Sequence, residues 1–251
     1  MPTDVAVAER AARAAAEVLL SLRRGEVLGR ALGDAGDAAA QQAILDVLTA
    51  ERPEDVVFSE EAADDRRRLA ADRVWIVDPL DGTREYGEPD RHDWAVHVAL
   101  WSAGGRGTGG SLTAAAVALP ALDEVLLTEP APPVPPRPDA PLRFAVSRSR
   151  PPAVAEAVAN RMGATLVPLG SAGYKTLAVV RGEADAYLHA GGMYQWDSAA
   201  PVAVAQAAGL TAVRLDGSPL VYNDPDPWLP DLLVCRPELA ERLLAAVRSR
   251  P

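Results

Sequence analysis

The sequence predicts an α/β (α+β) fold with two lobes in one compact unit, and three observations favour it. Residues 93–101 alternate two sets of side chains with period two, as a strand in a sheet does. In the second half, strand-like and helix-like segments alternate, which is typical of α/β domains. Between the halves, the proline-dense stretch 129–141 lacks periodicity and separates an N-terminal α+β lobe, residues 1–141, from a C-terminal α/β lobe, residues 142–251.

Composition excludes several classes of protein. The 251 residues can bury a full core, and the net charge of −10 argues against a protein that binds duplex DNA or a membrane surface. The single Cys235 lies in an apolar run, so a disulfide framework, a zinc cluster and a thiol motif are all excluded. The first residues do not resemble a secretion signal, and no stretch resembles a membrane span. We therefore expect a cytoplasmic protein, and no single apolar stripe in the sequence decides between a monomer and a homodimer.

The N-terminal region is predicted to be helical. Residues 5–23 carry apolar side chains at helical spacing, and a second helix is predicted over residues 38–50. Asp37 directly precedes this second helix. On position alone, an N-cap is a simpler explanation for Asp37 than a catalytic role.

A short strand is predicted over residues 55–59, with Glu60 and Glu61 at its end. A pair of acids at a strand end is also common on a solvated surface. These two residues become candidate site residues only in combination with the segment that follows.

Residues 74–77 form an apolar run that leads directly into two aspartates, Asp78 and Asp81. Pro79 is predicted to end the strand at Asp78, and Gly82 permits a sharp bend. Carboxylates held close together repel one another unless a cation lies between them, and ligands that are all oxygen suit Mg²⁺. The corner therefore predicts a magnesium site for phosphate chemistry.

Residues 84–91 are predicted to be a polar turn before the strand at 93–101. His97 within that strand is interpreted as a packed histidine rather than a ligand. Residues 104–110 are predicted to be a flexible, hairpin-like connection, and two further antiparallel strands follow at 112–119 and 124–127.

The second lobe is predicted to contain strands at 142–147, 165–169, 184–189, 211–214 and 232–235, with helices at 153–162, 175–181, 198–208 and 237–247. Asp197 lies at or just before the start of the third of these helices. Viewed alone, this position fits an N-cap as well as a site residue. Pro201 is expected in the first turn of that helix, where proline is tolerated.

Taken together, the acids form one pattern, which consists of Asp37, the Glu60-Glu61 pair, Asp78-Pro-Leu-Asp81-Gly-Thr83 and Trp196-Asp197. This pattern resembles the inositol monophosphatase superfamily of Mg²⁺-dependent, lithium-sensitive phosphatases, whose signatures are D-P-[IL]-D-G-T and W-D-x-A-A. The resemblance covers essentially the whole chain. It implies the layered αβαβα sandwich of that superfamily.

The resemblance also implies the metal ligands. One Mg²⁺ would be held by Glu60, Asp78 and the backbone carbonyl of Leu80. A second would be held by Asp78, Asp81 and Asp197. A more weakly held third ion would involve Glu60 or Glu61, and Li⁺ would be inhibitory.

Thr83 and Asp37 match the pair that orients and deprotonates the attacking water in that superfamily. The water, activated by metal, would attack phosphorus in line. Backbone N–H groups of Gly82 and Thr83 would also donate to phosphate oxygens. The usual Thr-Lys-x-Asp segment is replaced here by Gly33-Asp-Ala-Gly-Asp37, which leaves the setting of Asp37 open.

Within the superfamily, segments 78–86, 145–149 and 169–175 are similar to the CysQ-type 3′(2′),5′-bisphosphate nucleotidases of sulfur metabolism. The implied reaction removes the 3′-phosphate of 3′-phosphoadenosine 5′-phosphate (PAP), or of its 5′-phosphosulfate counterpart, to give AMP from PAP. The implied substrate contacts are Gly82, Thr83, Ser147, Arg148, Gly170, Ser171 and Lys175. Lys175 is the only lysine of the chain, and without the motif it would be interpreted as a surface residue.

Two other functions stay open at the sequence level. An inositol-1-monophosphatase or fructose-1,6-bisphosphatase would use the same acids, although residues 189–195 lack the glutamate that contacts inositol in those enzymes. A metal-dependent nucleotide-binding protein without turnover is the alternative from a non-enzyme class. The complete set of acids and the Thr83–Asp37 pair argue against it.

Overall fold

The computed structural model describes residues 2–104 and 109–249, and within them the chain forms a layered α-β-α-β-α sandwich. The predicted fold class is therefore confirmed. The predicted connection at 104–110 falls largely on residues 105–108, which lie outside the described residues. None of the described helices is both long enough and apolar enough to cross a membrane.

The first sheet has the strand order β1-β2-β3-β4-β5. β1 and β2 are parallel, and the other neighbours are antiparallel. The helices and strands up to the proline-rich segment are α1 (Asp4–Arg23), α2 (Gly29–Glu51), β1 (Val56–Ser59), β2 (Arg73–Asp81), α3 (Thr83–Gly87), β3 (Ala95–Ser102), β4 (Ser111–Leu119) and β5 (Glu124–Leu127).

The second sheet has the order β7-β6-β8-β10-β9, with β6 parallel to both β7 and β8. Its elements are β6 (Arg143–Ser147), α4 (Ala153–Met162), β7 (Thr165–Leu169), α5 (Ala172–Val180), β8 (Ala186–Tyr194), α6 (Gln195–Ala207), β9 (Thr211–Val213), β10 (Trp228–Cys235) and α7 (Ala240–Arg248). Residues 129–141 form neither helix nor strand, as the proline density predicts.

The apolar run of β2 is buried on both faces, which explains why it is continuously hydrophobic rather than alternating. Trp75 and Val77 pack into a core with α1 and α2. Val74 and Ile76 point the other way, into a core that includes α5 and α6. The strand that ends at the two aspartates is therefore one of the most enclosed in the molecule.

Helices α5 and α6 form the middle layer and pack against both sheets. A third core lies on the far face of the second sheet, where Phe144 of β6 packs with Val158 of α4 and Leu243 of α7. Because the middle layer is shared, side chains from the two sheets meet at one edge of it. That edge carries the acids described below.

Helix α2 begins at Gly29, nine residues before the predicted start, so Asp37 lies inside the helix and the N-cap interpretation is wrong. Two glycines allow the helix to pass unusually close to α3. A Cβ atom on Gly33 would lie 2.6 Å from Thr83 Cγ2, and one on Gly36 would lie 2.8 Å from Tyr86 Cε1. The two glycines that lie before the predicted helix start therefore serve close packing of the helix against α3.

The end of β2 also differs from the prediction. The strand does not end at Asp78 but continues through Pro79 to Asp81, with a shift of register relative to β3 between the two aspartates. Such a bulge accommodates proline because no ladder hydrogen bond is needed there. Gly82 has a φ of 91°, and the predicted polar turn starts with the short helix α3 instead.

Helix α6 begins at Gln195, three residues early, so Asp197 is its third residue and not the N-cap. Pro201 consequently lies in the second turn rather than the first. Its missing N–H leaves the Asp197 carbonyl without its usual helical partner. Helix α5 likewise starts at Ala172 rather than at residue 175.

Candidate active site

The acidic corner, which we define as residues 78–83, contains the most deeply buried carboxylate of the site. Asp78 is 1% exposed, and its Oδ1 accepts a hydrogen bond of 3.1 Å from the Leu80 N–H. Its Oδ2 is buried and has no hydrogen-bond partner among the described residues. A buried oxygen without a donor is costly unless another positive group satisfies it.

Asp81 is fixed by the start of α5 in the middle layer. Its Oδ2 accepts hydrogen bonds from the Ser171 hydroxyl at 2.6 Å and from the Gly173 N–H at 2.7 Å. His97 Nε2 lies 3.4 Å from the same oxygen, and His97 itself is fully buried. One oxygen of Asp81 is therefore held by the start of α5, which fixes the orientation of the carboxylate.

Asp197 is supplied by the first turn of α6. Its Oδ2 accepts a hydrogen bond of 2.6 Å from the Tyr194 N–H, which anchors the carboxylate at the helix start. The helix therefore presents this acid toward the corner without relying on a flexible loop.

The acids raise one another's pKa values. Burial, and then the carboxylates of Glu60, Asp81 and Asp197, raise the pKa of Asp78 well above its usual range. Burial and the Asp81 carboxylate raise the pKa of Asp197 to about 7. The Glu60 residue is exposed as a whole, but its carboxyl group is partly desolvated by the surrounding protein. This desolvation and the charges of Asp197 and Asp81 raise its pKa to about 8. Uncompensated negative charge of this kind is what a bound cation would relieve.

Two groups of side chains have ligand atoms within 4.8 Å of one another. The first consists of Glu60, Asp78 and Asp197, and the second of Asp78, Asp81 and His97. The structure thus brings all four predicted carboxylate ligands to one place, with Asp78 common to both groups. It adds His97, which the sequence analysis interpreted as packing only.

Asp37 projects from the middle of α2 toward α3. Burial raises its pKa to about 7, the carboxylates of Glu61 and Asp34 add to the shift, and a hydrogen bond with Thr83 opposes it. The Leu80 carbonyl, 3.1 Å from Thr83 Oγ1, is a second acceptor within reach of the single hydroxyl proton of Thr83. The two residues predicted to handle the water are therefore together, and a pKa near neutrality suits a general base. Glu61 stands exposed beside them.

A cleft of about 370 Å³ opens beside the acidic corner. One side is formed by residues 81–85 and 197. The other, which we call the cleft wall, consists of residues 147–150 and 170–175 of the second sheet and its connections. The lining residues are Asp81, Gly82, Thr83, Arg84, Glu85, Ser147, Ser149, Arg150, Ser171, Ala172, Lys175, Tyr187, His189, Gly192, Met193 and Asp197.

Five of the predicted substrate contacts line this cleft, and two do not. Gly82, Thr83, Ser147, Ser171 and Lys175 are in its lining, whereas Arg148 and Gly170 are outside it.

Arg148 is instead engaged by two acids. Its Nη2 lies 2.7 Å from Glu85 Oε1 and 3.0 Å from Glu88 Oε1, which connects the end of β6 to α3. The Gly170 N–H donates to Asp93 Oδ2 at 2.5 Å. Both residues therefore connect the second sheet to the first.

Lys175 is 5% exposed, although it borders the cleft. Its Nζ donates to the carbonyls of Gly170 and Ser171 at 3.0 and 2.6 Å. Burial lowers its pKa to about 8. The ammonium group thus fixes the segment whose Ser171 hydroxyl and Gly173 N–H hold Asp81.

Sequence reasoning missed His97, Arg84 and Arg150. His97 lies opposite Asp78 in the β2–β3 register, and strand alternation alone cannot give a register. Arg84 directly follows Thr83, so its position next to the D-P-L-D-G-T signature could have identified it as a candidate site residue. Arg150 lies two residues past the Ser147-Arg148 pair and carried no signal of its own.

Comparisons with known proteins give consistent results for the whole chain. A model described as the inositol monophosphatase family matches residues 2–251. A protein of Mycobacterium leprae (strain TN) named 3′-phosphoadenosine 5′-phosphate phosphatase is 51% identical, over 98% of this chain and 94% of that protein. A protein of the same name from Mycobacterium bovis (strain ATCC BAA-935 / AF2122/97) is 54% identical, over 86% of this chain and 82% of that protein.

Solved structures of similar fold also include members of the inositol monophosphatase family. CysQ from Bacteroides thetaiotaomicron, described as a bacterial member of the inositol monophosphatase family, has a TM-score of 0.78 at 25% identity, over 93% of this chain and 97% of that one. Inositol monophosphatase II from Staphylococcus aureus MSSA476 has a TM-score of 0.81 at 18% identity, over 97% and 95% of the two chains. The second likeness concerns the fold alone.

Proposed function

The chain belongs to the inositol monophosphatase family, and we propose that it is an Mg²⁺-dependent phosphatase that removes the 3′-phosphate of PAP to give AMP and phosphate. The observation that carries the reaction class is the convergence of Glu60, Asp78, Asp81 and Asp197 beside an open cleft. The relatives named PAP phosphatase, at 51% and 54% identity, carry the choice of substrate.

The acids present fit a hard divalent cation. The donors are mostly carboxylate oxygens, and the buried Asp78 Oδ2 has no other partner among the described residues. Glu60, Asp78, Asp81, Asp197 and the Leu80 carbonyl would hold Mg²⁺, with Glu61 nearby. Bound there, Mg²⁺ would neutralise charge on the transferring phosphoryl group and increase the acidity of a water molecule.

The protein's own residues would position the water and accept its proton. The single proton of the Thr83 hydroxyl can point to the Leu80 carbonyl or to the Asp37 carboxylate, and the lone pairs of Oγ1 would accept a hydrogen bond from a water molecule. Asp37, with a pKa raised to about 7, would take the proton directly or through Thr83. The rigid placement of both on packed helices supplies orientation without further movement.

The proposed function is tested by phosphate release from PAP, inositol 1-phosphate and fructose 1,6-bisphosphate, first with Mg²⁺ and then with added Li⁺. We expect the highest kcat/KM for PAP, a requirement for Mg²⁺, and inhibition by Li⁺. A clear preference for either sugar phosphate would reject the nucleotidase assignment and leave the family machinery intact. Activity that survives thorough chelation of divalent ions would reject the metal mechanism.

A further inference from the structure

Two arginines border the cleft with their charges uncompensated. Arg84 and Arg150 both line it, and both are exposed. Among residues 2–104 and 109–249, no carboxylate lies within ion-pair distance of either guanidinium. The contact of Arg150 with Ser147 Oγ uses only its backbone N–H, at 3.3 Å. Their guanidinium donors are therefore free for a ligand in the cleft.

The other cations near the cleft are already engaged. Arg148 is paired with Glu85 and Glu88, at 2.7 and 3.0 Å. Lys175 donates to two backbone carbonyls and is almost fully buried. The positive charge that the described structure leaves available to a bound anion therefore comes from Arg84 and Arg150.

These arginines line the same cleft as the acids that suit the reacting phosphate, but they are not part of that acidic group. The reacting group must lie at Asp81, Asp197 and Thr83, where its charge would be balanced by metal. A ligand with a single phosphate would leave the two arginines without a partner. In a chain with a net charge of −10, free guanidinium groups in the substrate cleft indicate a second anionic group on the substrate.

We propose that Arg84 and Arg150 bind the second, non-reacting phosphate of a bisphosphorylated nucleotide and thereby set the preference for bisphosphates over monophosphates. In PAP this group is the 5′-phosphate, so the inference rests on the proposed function and deepens it. Arginine suits this role because its planar donors match phosphate oxygens in pairs. A cleft of about 370 Å³ is within the usual range for small-molecule sites.

The kinetic test compares PAP with adenosine 3′-monophosphate, which carries the reacting phosphate but lacks the second one. The variants are R84Q, R150Q and the double variant. R242Q is the matched control, because Arg242 is an exposed arginine of α7 that does not line the cleft. We expect each cleft variant to lose roughly 10- to 100-fold in kcat/KM for PAP and less than about threefold for the monophosphate. R242Q should leave both values unchanged.

A binding measurement makes the test independent of turnover. Calorimetry with AMP and with adenosine, in the presence of a chelator, compares a nucleoside with and without the 5′-phosphate while the reacting site lacks metal. We expect AMP to bind at least about tenfold more tightly than adenosine, and the double variant to lose this difference.

The outcomes separate the two proposals. The role of the arginines would be overturned if the variants lost kcat/KM by equal factors for PAP and for adenosine 3′-monophosphate. It would also be overturned if the double variant kept the preference for PAP. In either case the enzyme would remain a PAP phosphatase. Absence of PAP hydrolysis by the unaltered protein would reject the proposed function. The calorimetric comparison would still decide the inference, because AMP that binds no better than adenosine overturns it.

Discussion

The acidic corner and the cleft wall face each other across one cleft, but different parts of the chain hold them in place. In the corner, buried β2, the bulge at Pro79 and Gly82 place Asp78 and Asp81 by local chain geometry. In the wall, Arg148 depends on a partner elsewhere, the Glu85 carboxylate of α3, whereas Lys175 donates to carbonyls of its own segment. The positions of the two aspartates are thus set by the local sequence, and the environment of Arg148 is set by the assembled fold.

The two sides also differ in how their charges are balanced. The acids of the corner and the acids around them repel one another, so this side is suited to a cation. Two of the three cations of the wall, Arg148 and Lys175, already donate to protein groups, so their presence in the sequence does not make them substrate contacts. A charged residue is available for function only where the fold leaves it unpaired.

The largest effect should come from Asp78→Asn, which removes the carboxylate common to both groups of potential ligands. We expect kcat with Mg²⁺ to fall by at least about 10³-fold, because a neutral amide is a weak ligand for a hard ion. Metal-free stability should rise, because a buried charge that the other acids repel is removed. Enzyme assays and thermal unfolding in chelator measure the two effects. An active Asp78→Asn variant would contradict the central role of the corner.

Asp37→Asn should give the next largest loss, since it removes the proposed base without touching the metal ligands. We expect kcat to fall roughly 10²- to 10³-fold, with KM and the Mg²⁺ concentration for half-maximal activity changing less than about threefold. Steady-state kinetics across a range of Mg²⁺ concentrations separates these quantities. A variant whose main defect is weaker Mg²⁺ activation would show that Asp37 acts on the metal and not on the water.

The fold was largely predictable because its signals are local. The buried run of β2, the alternation of β3 and the prolines of 129–141 each report on nearby residues, and all three predictions are confirmed. The helix starts of α2 and α6 were wrong because glycine and proline were interpreted by propensity. In the structure, Gly36 is required by the approach of α3, a long-range contact that propensity cannot report.

The candidate site was predictable only where a motif aligned residues across the chain. The signatures joined Asp78, Asp81 and Asp197, which the structure brings together from β2 and α6. His97 was missed because its position opposite Asp78 follows from strand register. The engagement of Arg148 by Glu85 depends on packing between the two sheets, and no spacing in the sequence encodes it.

A smaller effect concerns the stability of the metal-free protein. The pKa values of Asp78, Glu60 and Asp197 are raised in the folded state, to about 8 for Glu60 and about 7 for Asp197. These three acids therefore bind more protons in the folded protein than in the unfolded chain between about pH 4 and pH 8, so their contribution to stability falls as pH rises through this window. His97 and His189, whose pKa values are lowered by burial, oppose this trend but are fewer than the acids. In chelator, we expect Tm to drop on the order of 5 °C from pH 5 to pH 8.

Mg²⁺ should reverse this trend, because it compensates the same charges. The rise in Tm on adding Mg²⁺ is expected to be larger at pH 8 than at pH 5, and Asp78→Asn should reduce the difference. A metal-free Tm that stays level or increases up to pH 8 would show that the acids are not mutually destabilising. The acidic corner would then no longer differ from the cleft wall in having charges that repel one another.

The smallest effect should come from Arg148→Gln, and it bears most directly on the comparison. Arg148 was predicted to contact substrate, but in the structure it joins β6 to α3 through Glu85 and Glu88. If that link is its role, the variant should lose about 1–2 kcal/mol in the free energy of unfolding, because it leaves the buried Glu85 carboxylate without its partner. KM for PAP should then change less than about threefold.

Glu85→Gln supplies the matched partner for a double-mutant cycle. Because Arg148 is the ion-pair partner of Glu85, the double variant should be no less stable than Arg148→Gln alone. The coupling energy should then be near the stability lost by Glu85→Gln alone. An increase in KM of more than about tenfold for Arg148→Gln, with stability unaltered, would show that Arg148 contacts the substrate. The wall would then contribute to binding through a paired arginine, and the rule that only unpaired charges are available would fail at this position.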